Sequence, residues 1–161
     1  MKKIIFFFLF FSLFLFPEIL FDFELTTHNW KTEDENSEVF FTSRYSGSGD
    51  YSLCAKVQNS KELRIFYEGN LNFKFYDYLS FKIYMPEDGG MDGEFMCYIK
   101  DDEWNWFETK KFKIRRGEEK SVILNLKENN DLWQPVSHLK VFDGYVKENI
   151  KEFGIIMWFP Y

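Results

Sequence analysis

Seven consecutive residues, Asp101-Asp102-Glu103-Trp104-Asn105-Trp106-Phe107, combine two indoles with three carboxylates and a carboxamide. An indole is costly to leave in water, so a pair in a charged stretch asks for a reason. In an extended segment residues two apart point to the same side, which would set Trp104 and Trp106 next to each other. Two such rings make a flat apolar surface with hydrogen-bonding groups around it. A pyranose ring matches that combination. The C–H groups on one of its faces are slightly positive and meet the negative face of an indole. Stacking also removes apolar area from water at roughly 25 cal/mol per Å². Asp101, Asp102, Glu103 and Asn105 are placed to take the hydroxyls. The competing reading is structural: Trp104 and Trp106 close one end of an apolar core.

Trp133 lies in a polar stretch beside Asn129, Asn130, Asp131 and Gln134, and reads as another wall of a ligand site. Tyr84 and Tyr98 would line an open sheet face, and Trp158 reads as structural. Bond-breaking chemistry finds little support. Glycoside hydrolysis needs two carboxylates across a cleft. With 26 acidic residues in the chain, the mere presence of acids decides nothing. His28 and His138 are the only histidines, and neither sits in a nucleophile-containing motif. No glycine-rich phosphate loop occurs. The chain reads as a binding protein and not as an enzyme.

The elements that must position these residues are short strands with turns between them. Apolar segments run over 20–25, 38–43, 51–57 and 63–68. In 79–85, Leu79, Phe81, Ile83 and Met85 face one way while Ser80, Lys82 and Tyr84 face the other. Segments 94–100 and 107–114 form a pair joined through the tryptophan stretch. Val122, Leu124 and Leu126 alternate in the next strand, a polar region covers 127–151, and 153–159 is the last strand. No convincing amphipathic helix is present. This pattern predicts an all-β sandwich, with a jelly roll as its version. A sandwich strand should be polar on its wet face. Met96 and Tyr98 oppose Phe95, Cys97 and Ile99, and Ile156 and Trp158 oppose Ile155. Such doubly apolar strands lie under loops or expose an apolar patch of the kind that binds a ligand.

The net charge of −6 and pI near 5.0 argue against nucleic acid and anionic membrane surfaces as partners. Met1-Lys2-Lys3 followed by the apolar run 4–16 and Pro17 has the layout of a secretory signal. The run is short for a membrane span of roughly 20 residues. Residues 1–20 are therefore expected to be a cleaved signal peptide or, uncleaved, an N-terminal anchor. The remainder, 21–161, makes one ordinary domain. Cys54 and Cys97 either pair or fill two small sites on separate strands.

Phe21-Asp22-Phe23-Glu24, then Trp30, then Gly49-Asp50-Tyr51-Ser52-Leu53 resembles the opening of carbohydrate-binding modules with the galactose-binding-like jelly roll. Leu79-Ser80-Phe81-Lys82-Ile83-Tyr84-Met85-Pro86 is similar to their central strand. Trp104-Asn105-Trp106, the segment 121–126 and Ile150-Lys151-Glu152-Phe153-Gly154-Ile155 continue the order. The resemblance covers nearly all of 21–161. Modules of this kind are attached to secreted glycoside hydrolases such as mannanases and glucanases, bind plant-type polysaccharides and do no catalysis. Many hold a structural calcium ion. The resemblance thus implies a secreted or envelope-associated monomer that binds mannan or β-glucan. It nominates Glu24, with carbonyls of loop 46–50, for Ca²⁺. It leaves Trp30 as either a ligand wall or a core residue. The family adds one more strand, so the expectation is a module short of its last strand, with an open sheet edge. A second expectation is an envelope structural or adhesion domain that contacts a protein partner. A third is a small glycoside hydrolase.

Overall fold

Alternation decides which side of each strand turns inward, and the core follows from it. The computed structural model describes residues 18–160 except 25, 47, 48, 59, 89, 90 and 137–139. Most of the signal-peptide expectation, and His138, lie outside the described residues. The strands are β1 (Trp30–Thr32), β2 (Ser37–Thr42), β3 (Ser52–Val57), β4 (Glu62–Leu71), β5 (Tyr78–Tyr84), β6 (Gly93–Asp101), β7 (Trp106–Glu108), β8 (Phe112–Ile114), β9 (Glu119–Asn125), β10 (Gln134–Pro135) and β11 (Ile150–Trp158), with one short helix, α1 (Gly144–Glu148), before the last. Every pairing is antiparallel. The large sheet has the order β1-β4-β11-β6-β7-β10, with β8 also on β6. The two-stranded sheets β2-β3 and β5-β9 form the facing layer.

The core sits between the layers. Ile99, Phe153 and Ile155 from the large sheet meet Val39, Leu53, Phe81 and Val122 from the two small sheets. β11 lies at the centre, hydrogen-bonded to β4 on one side and β6 on the other. The outer face of the large sheet holds a second apolar cluster of Phe66, Met96, Tyr98 and Ile156, with Trp106 and Trp158 packed against it. The doubly apolar pattern of 94–100 and 153–159 therefore marks two clusters, one on each face. All of this is the two-layer all-β architecture that the alternation predicts.

Three elements differ from expectation. The described residues of segment 20–25, 20 to 24, do not form a strand. Phe23 takes φ 58°, and the Asp22 carboxylate accepts from the Glu24 N–H and bonds His28 Nε2, which curls the chain. Phe21 then packs on Trp30 and Tyr67. Segment 107–114 splits into β7 and β8 around Thr109. The Thr109 N–H donates to the Cys97 carbonyl, and its Oγ1 accepts from the Cys97 N–H. Region 127–151 holds β10 and α1, whose N-cap Asp143 accepts from the Val146 N–H at 3.1 Å. The two cysteines are unpaired. Cys97 is fully buried on the inner face of β6, while Cys54 sits opposite Phe40 on the outward face of β2-β3, so the two thiols point to different sides of a layer.

Candidate functional site

The tryptophan stretch is a hairpin turn. β6 ends at Asp101 and β7 begins at Trp106, so residues 102–105 are not extended and the same-side expectation for Trp104 and Trp106 does not apply. Asp101 organises the turn from beneath. Its fully buried carboxylate accepts from the N–H groups of Glu103 and Asn105 and, with both oxygens, from Asn105 Nδ2, at 2.8–3.0 Å. Asp101 and Asn105 are thus committed to each other, which corrects their assignment as hydroxyl partners. Asp102 is exposed and accepts from the Tyr145 hydroxyl at 2.9 Å. The result of this bonding is Trp104, at φ 63° and 58 % exposed.

Trp106 has a different place. It pairs with Lys100 across β6-β7, which turns it onto the outer face of the large sheet. There its ring stacks on Tyr98 with centroids 4.7 Å apart and planes 20° apart. The Arg64 guanidinium lies about 5 Å from both rings. Lys100 Nζ sits 5.4 Å from the Trp104 ring and 4.8 Å from the Trp106 ring, so one ammonium separates the two indoles. They do not form a shared platform. Tyr98 itself is completely buried. It lies across Gly154 of β11, where any Cβ would meet the phenol ring at 2.4 Å.

The charges on this face form one network. Arg64 Nε donates to the Tyr98 hydroxyl at 2.8 Å, and Tyr98 donates to Glu152 Oε1 at 2.6 Å. Arg64 and Lys100 also contact Glu152 at 2.6 and 3.1 Å. Burial opposes the charge of Glu152. The Tyr98 hydroxyl, Lys100 and Arg64 outweigh burial and hold the carboxyl below its ordinary value. Burial and the Glu152 carboxylate push the Tyr98 phenol far above its usual value, so it stays protonated and donates.

At one end of this face is a hollow of about 690 Å³. Asn29 and Lys31 form one wall, Glu68 and Asn70 come from β4, and Trp104 and Lys151 complete it. Lys151 reaches the hollow through a bulge: the register of β11 slips between Ile150 and Glu152. Its ammonium donates to Asn70 Oδ1. Lys31 pairs with Glu68 at 2.5 Å. Lys31, Glu68 and Asn70 carried no motif, and Lys151 stood only within the family-like segment 150–155. Alternation along β4, which puts Glu68 on the side of Phe66, was a signal for Glu68 alone.

Other expected contacts lie elsewhere. Trp133 is 3 % exposed, stacks on Phe142 at 5.5 Å and donates to the Asn125 carbonyl, so it is a core residue and not a ligand wall. Trp30 is also core, edge-on to Phe153 and Phe21, although part of it borders the hollow. Its Nε1 and that of Trp106 have no partner among the described residues. Tyr84 faces outward from β5-β9 against Tyr45, on the opposite side of the sandwich from Tyr98. Glu24 does lie beside Gly49 and Asp50, the end of the expected loop, yet both its oxygens stand 3.1 Å from the Asp50 N–H nitrogen. That donor occupies the bisector where a bidentate cation would sit. No group of three His, Cys, Asp or Glu side chains clusters for a metal among the described residues. Among the described residues, Glu24 thus pins the loop through the Asp50 N–H.

Known proteins resemble this arrangement in fold. An exo-β-agarase superposes with a TM-score of 0.60 at 14% identity, over 88% of this chain and 23% of the agarase. A second agarase, AgWH50C, gives 0.59 at 14% identity, over 86% and 22%. The family 11 carbohydrate-binding module of the cellulase Lic26A-Cel5E of Clostridium thermocellum gives 0.50 at 14% identity, over 89% of this chain and 94% of the module. The chain therefore spans less than a quarter of either agarase and nearly all of the module. No curated protein matches it in sequence. The family described as mannanase, galactose-binding domain-like matches residues 21–135, from the curl at Phe21 through β10. Over that span, and by the jelly-roll architecture around it, the chain belongs to the galactose-binding-domain-like family of mannanases.

Proposed function

We propose that this domain binds a polysaccharide without transforming it, in the hollow beside Trp104. One observation carries the reading: an exposed indole held in a left-handed backbone conformation by a buried carboxylate. A non-glycine residue at positive φ costs on the order of 1 kcal/mol or more. An exposed indole also forgoes the gain from burial. The chain accepts both at one residue, and Asp101 enforces it with three hydrogen bonds from the turn. The outcome is an indole face open to a sugar ring, with Asn70, Lys151 and Glu68 beside it for hydroxyls.

The non-catalytic part of the reading draws on the same geometry. The hollow is lined by one carboxylate, Glu68, and that group is paired with Lys31. A glycosidase needs two carboxylates across the bond it cuts. Family membership supports mannan as ligand, with β-glucan as the neighbouring choice, and it supports an extracellular setting for the domain. The agarase neighbours add agarose to the panel.

Affinity electrophoresis in gels containing mannan, mixed-linkage β-glucan or agarose tests the reading. Retardation of the wild type in at least one gel is expected, and Trp104→Ala should abolish it. Unretarded migration of the folded wild type in every gel would overturn the proposal.

A further inference from the structure

A second hollow of about 370 Å³ adjoins the first. Asn70 and Lys151 line both, so the two meet at the Asn70–Lys151 contact. Asn72, Glu148 and Asn149 line the far side. We infer that the two hollows form one groove, which takes an internal stretch of a neutral polysaccharide chain running past Trp104 and over Lys151. This rests on the carbohydrate-binding reading above and extends it to the shape and charge of the ligand.

Length is the first argument. Positions 68 to 72 along and just beyond β4 border the groove, and four steps of extended chain span roughly 13 Å. That is more than one sugar ring. Composition is the second. The first hollow has an aromatic wall, and the second has none, only amides, charges and the edges of Leu71 and Ile150. The amides of the second hollow are half used. Asn70 Oδ1 accepts from Lys151, Asn72 Oδ1 accepts from the Lys74 N–H, and Asn149 Nδ2 donates to the Tyr145 carbonyl. Their remaining groups, Nδ2 of Asn70 and Asn72 and Oδ1 of Asn149, have no partner among the described residues. Two donors and an acceptor around a hollow match hydroxyls, each of which donates and accepts. Charge is the third. The groove carries the ammonium groups of Lys31 and Lys151 and the carboxylates of Glu68 and Glu148, which balance. Glu68 is paired with Lys31, and Glu148 with Lys74. That leaves Lys151, bonded to the Asn70 amide, as the one lining ammonium without a carboxylate among the described residues, too few to hold a polyanionic chain.

Isothermal titration calorimetry with manno-, cello- and neoagaro-oligosaccharides from dimer to hexamer tests this, with polygalacturonate as the acidic comparison. In the series that binds, affinity should climb about tenfold or more from dimer to hexamer as the second hollow fills. Asn72→Ala should lower hexamer affinity several-fold and leave the dimer unchanged. Asn149→Ala should do the same, with the melting temperature of each variant confirming that it folds. Trp104→Ala should weaken dimer and hexamer alike. Equal affinity for dimer and hexamer, or hexamer binding untouched in both asparagine variants, overturns the groove while the sugar-binding reading stands. Tighter binding to polygalacturonate overturns the neutral ligand. Failure of the wild type to bind any oligomer or parent polymer overturns groove and reading together.

Discussion

At the scale of single residues, three tryptophans of one chain meet three fates, and the neighbours decide each. Trp104 is held out by a turn, Trp106 is half-covered by Tyr98, and Trp133 is sealed against Phe142. These fates separate under mutation. Trp104→Gly relieves the left-handed strain at φ 63° and removes the indole. It should raise stability by up to about 1 kcal/mol in a urea titration while polysaccharide retardation disappears. Trp133→Ala empties a core site and should cost about 3–5 kcal/mol in the same titration. Asp101→Ala leaves the turn N–H groups without their acceptor. A loss of about 1–3 kcal/mol is expected, together with weaker binding, because the indole is no longer held. Undiminished binding by Asp101→Ala would show that the turn does not position Trp104.

At the scale of elements, the outer face of β4, β11 and β6 works as a unit. Gly154 leaves room for Tyr98 to lie across the central strand, and that lets Trp106 stack on it. Gly154→Ala drives a Cβ into the phenol ring and should cost about 1–3 kcal/mol, with a shifted tryptophan emission as the stack opens. Glu152 ties the same three strands together through Arg64, Tyr98 and Lys100. Its carboxyl is held below the ordinary 4.5, so the folded state binds a proton less readily than the unfolded state. Its contribution is therefore complete above pH 4.5 and is lost as pH falls through the lower folded value. Melting temperatures measured from pH 7 down to 3 should drop in that acid range. Glu152→Gln should lower the pH 7 melting temperature and flatten the acid limb; an unchanged limb would remove Glu152 as its cause.

At the scale of the whole molecule, two layers enclose one core, and the groove proposed for sugar opens at one end of the large sheet, away from the layer of small sheets. Glu24 bears on the integrity of the assembly, because it fastens the chain before β1 to the loop before β3. With an N–H in the cation position, EDTA should leave the melting temperature unchanged, and Glu24→Ala should lower stability by about 1 kcal/mol. A fall in melting temperature on chelation that Ca²⁺ restores would reverse this assignment.

Local pattern alone was enough for much of this. The period-two alternation of 79–85 and the doubly apolar strands 94–100 and 153–159 are legible because a strand's faces are set by neighbours two residues apart. From them follow the sandwich, its core side and the apolar outer cluster around Tyr98. Trp104 was legible as a candidate because an indole among acids is conspicuous by type. Tertiary structure decided the rest. The turn at 101–105 depends on a buried carboxylate that a list of residues cannot show to be buried, so Asp101 and Asn105 looked like ligand contacts. Trp133 looked exposed because its immediate sequence neighbours are polar, while its contacts in space, Phe142 and the Asn125 carbonyl, lie beyond them, on either side of the polar stretch. The groove itself joins β1, β4, the β6-β7 turn and a bulge in β11. Such a surface exists only once strands far apart in sequence are paired, because pairing brings Lys31, Asn70, Trp104 and Lys151 to one place and no local pattern records it.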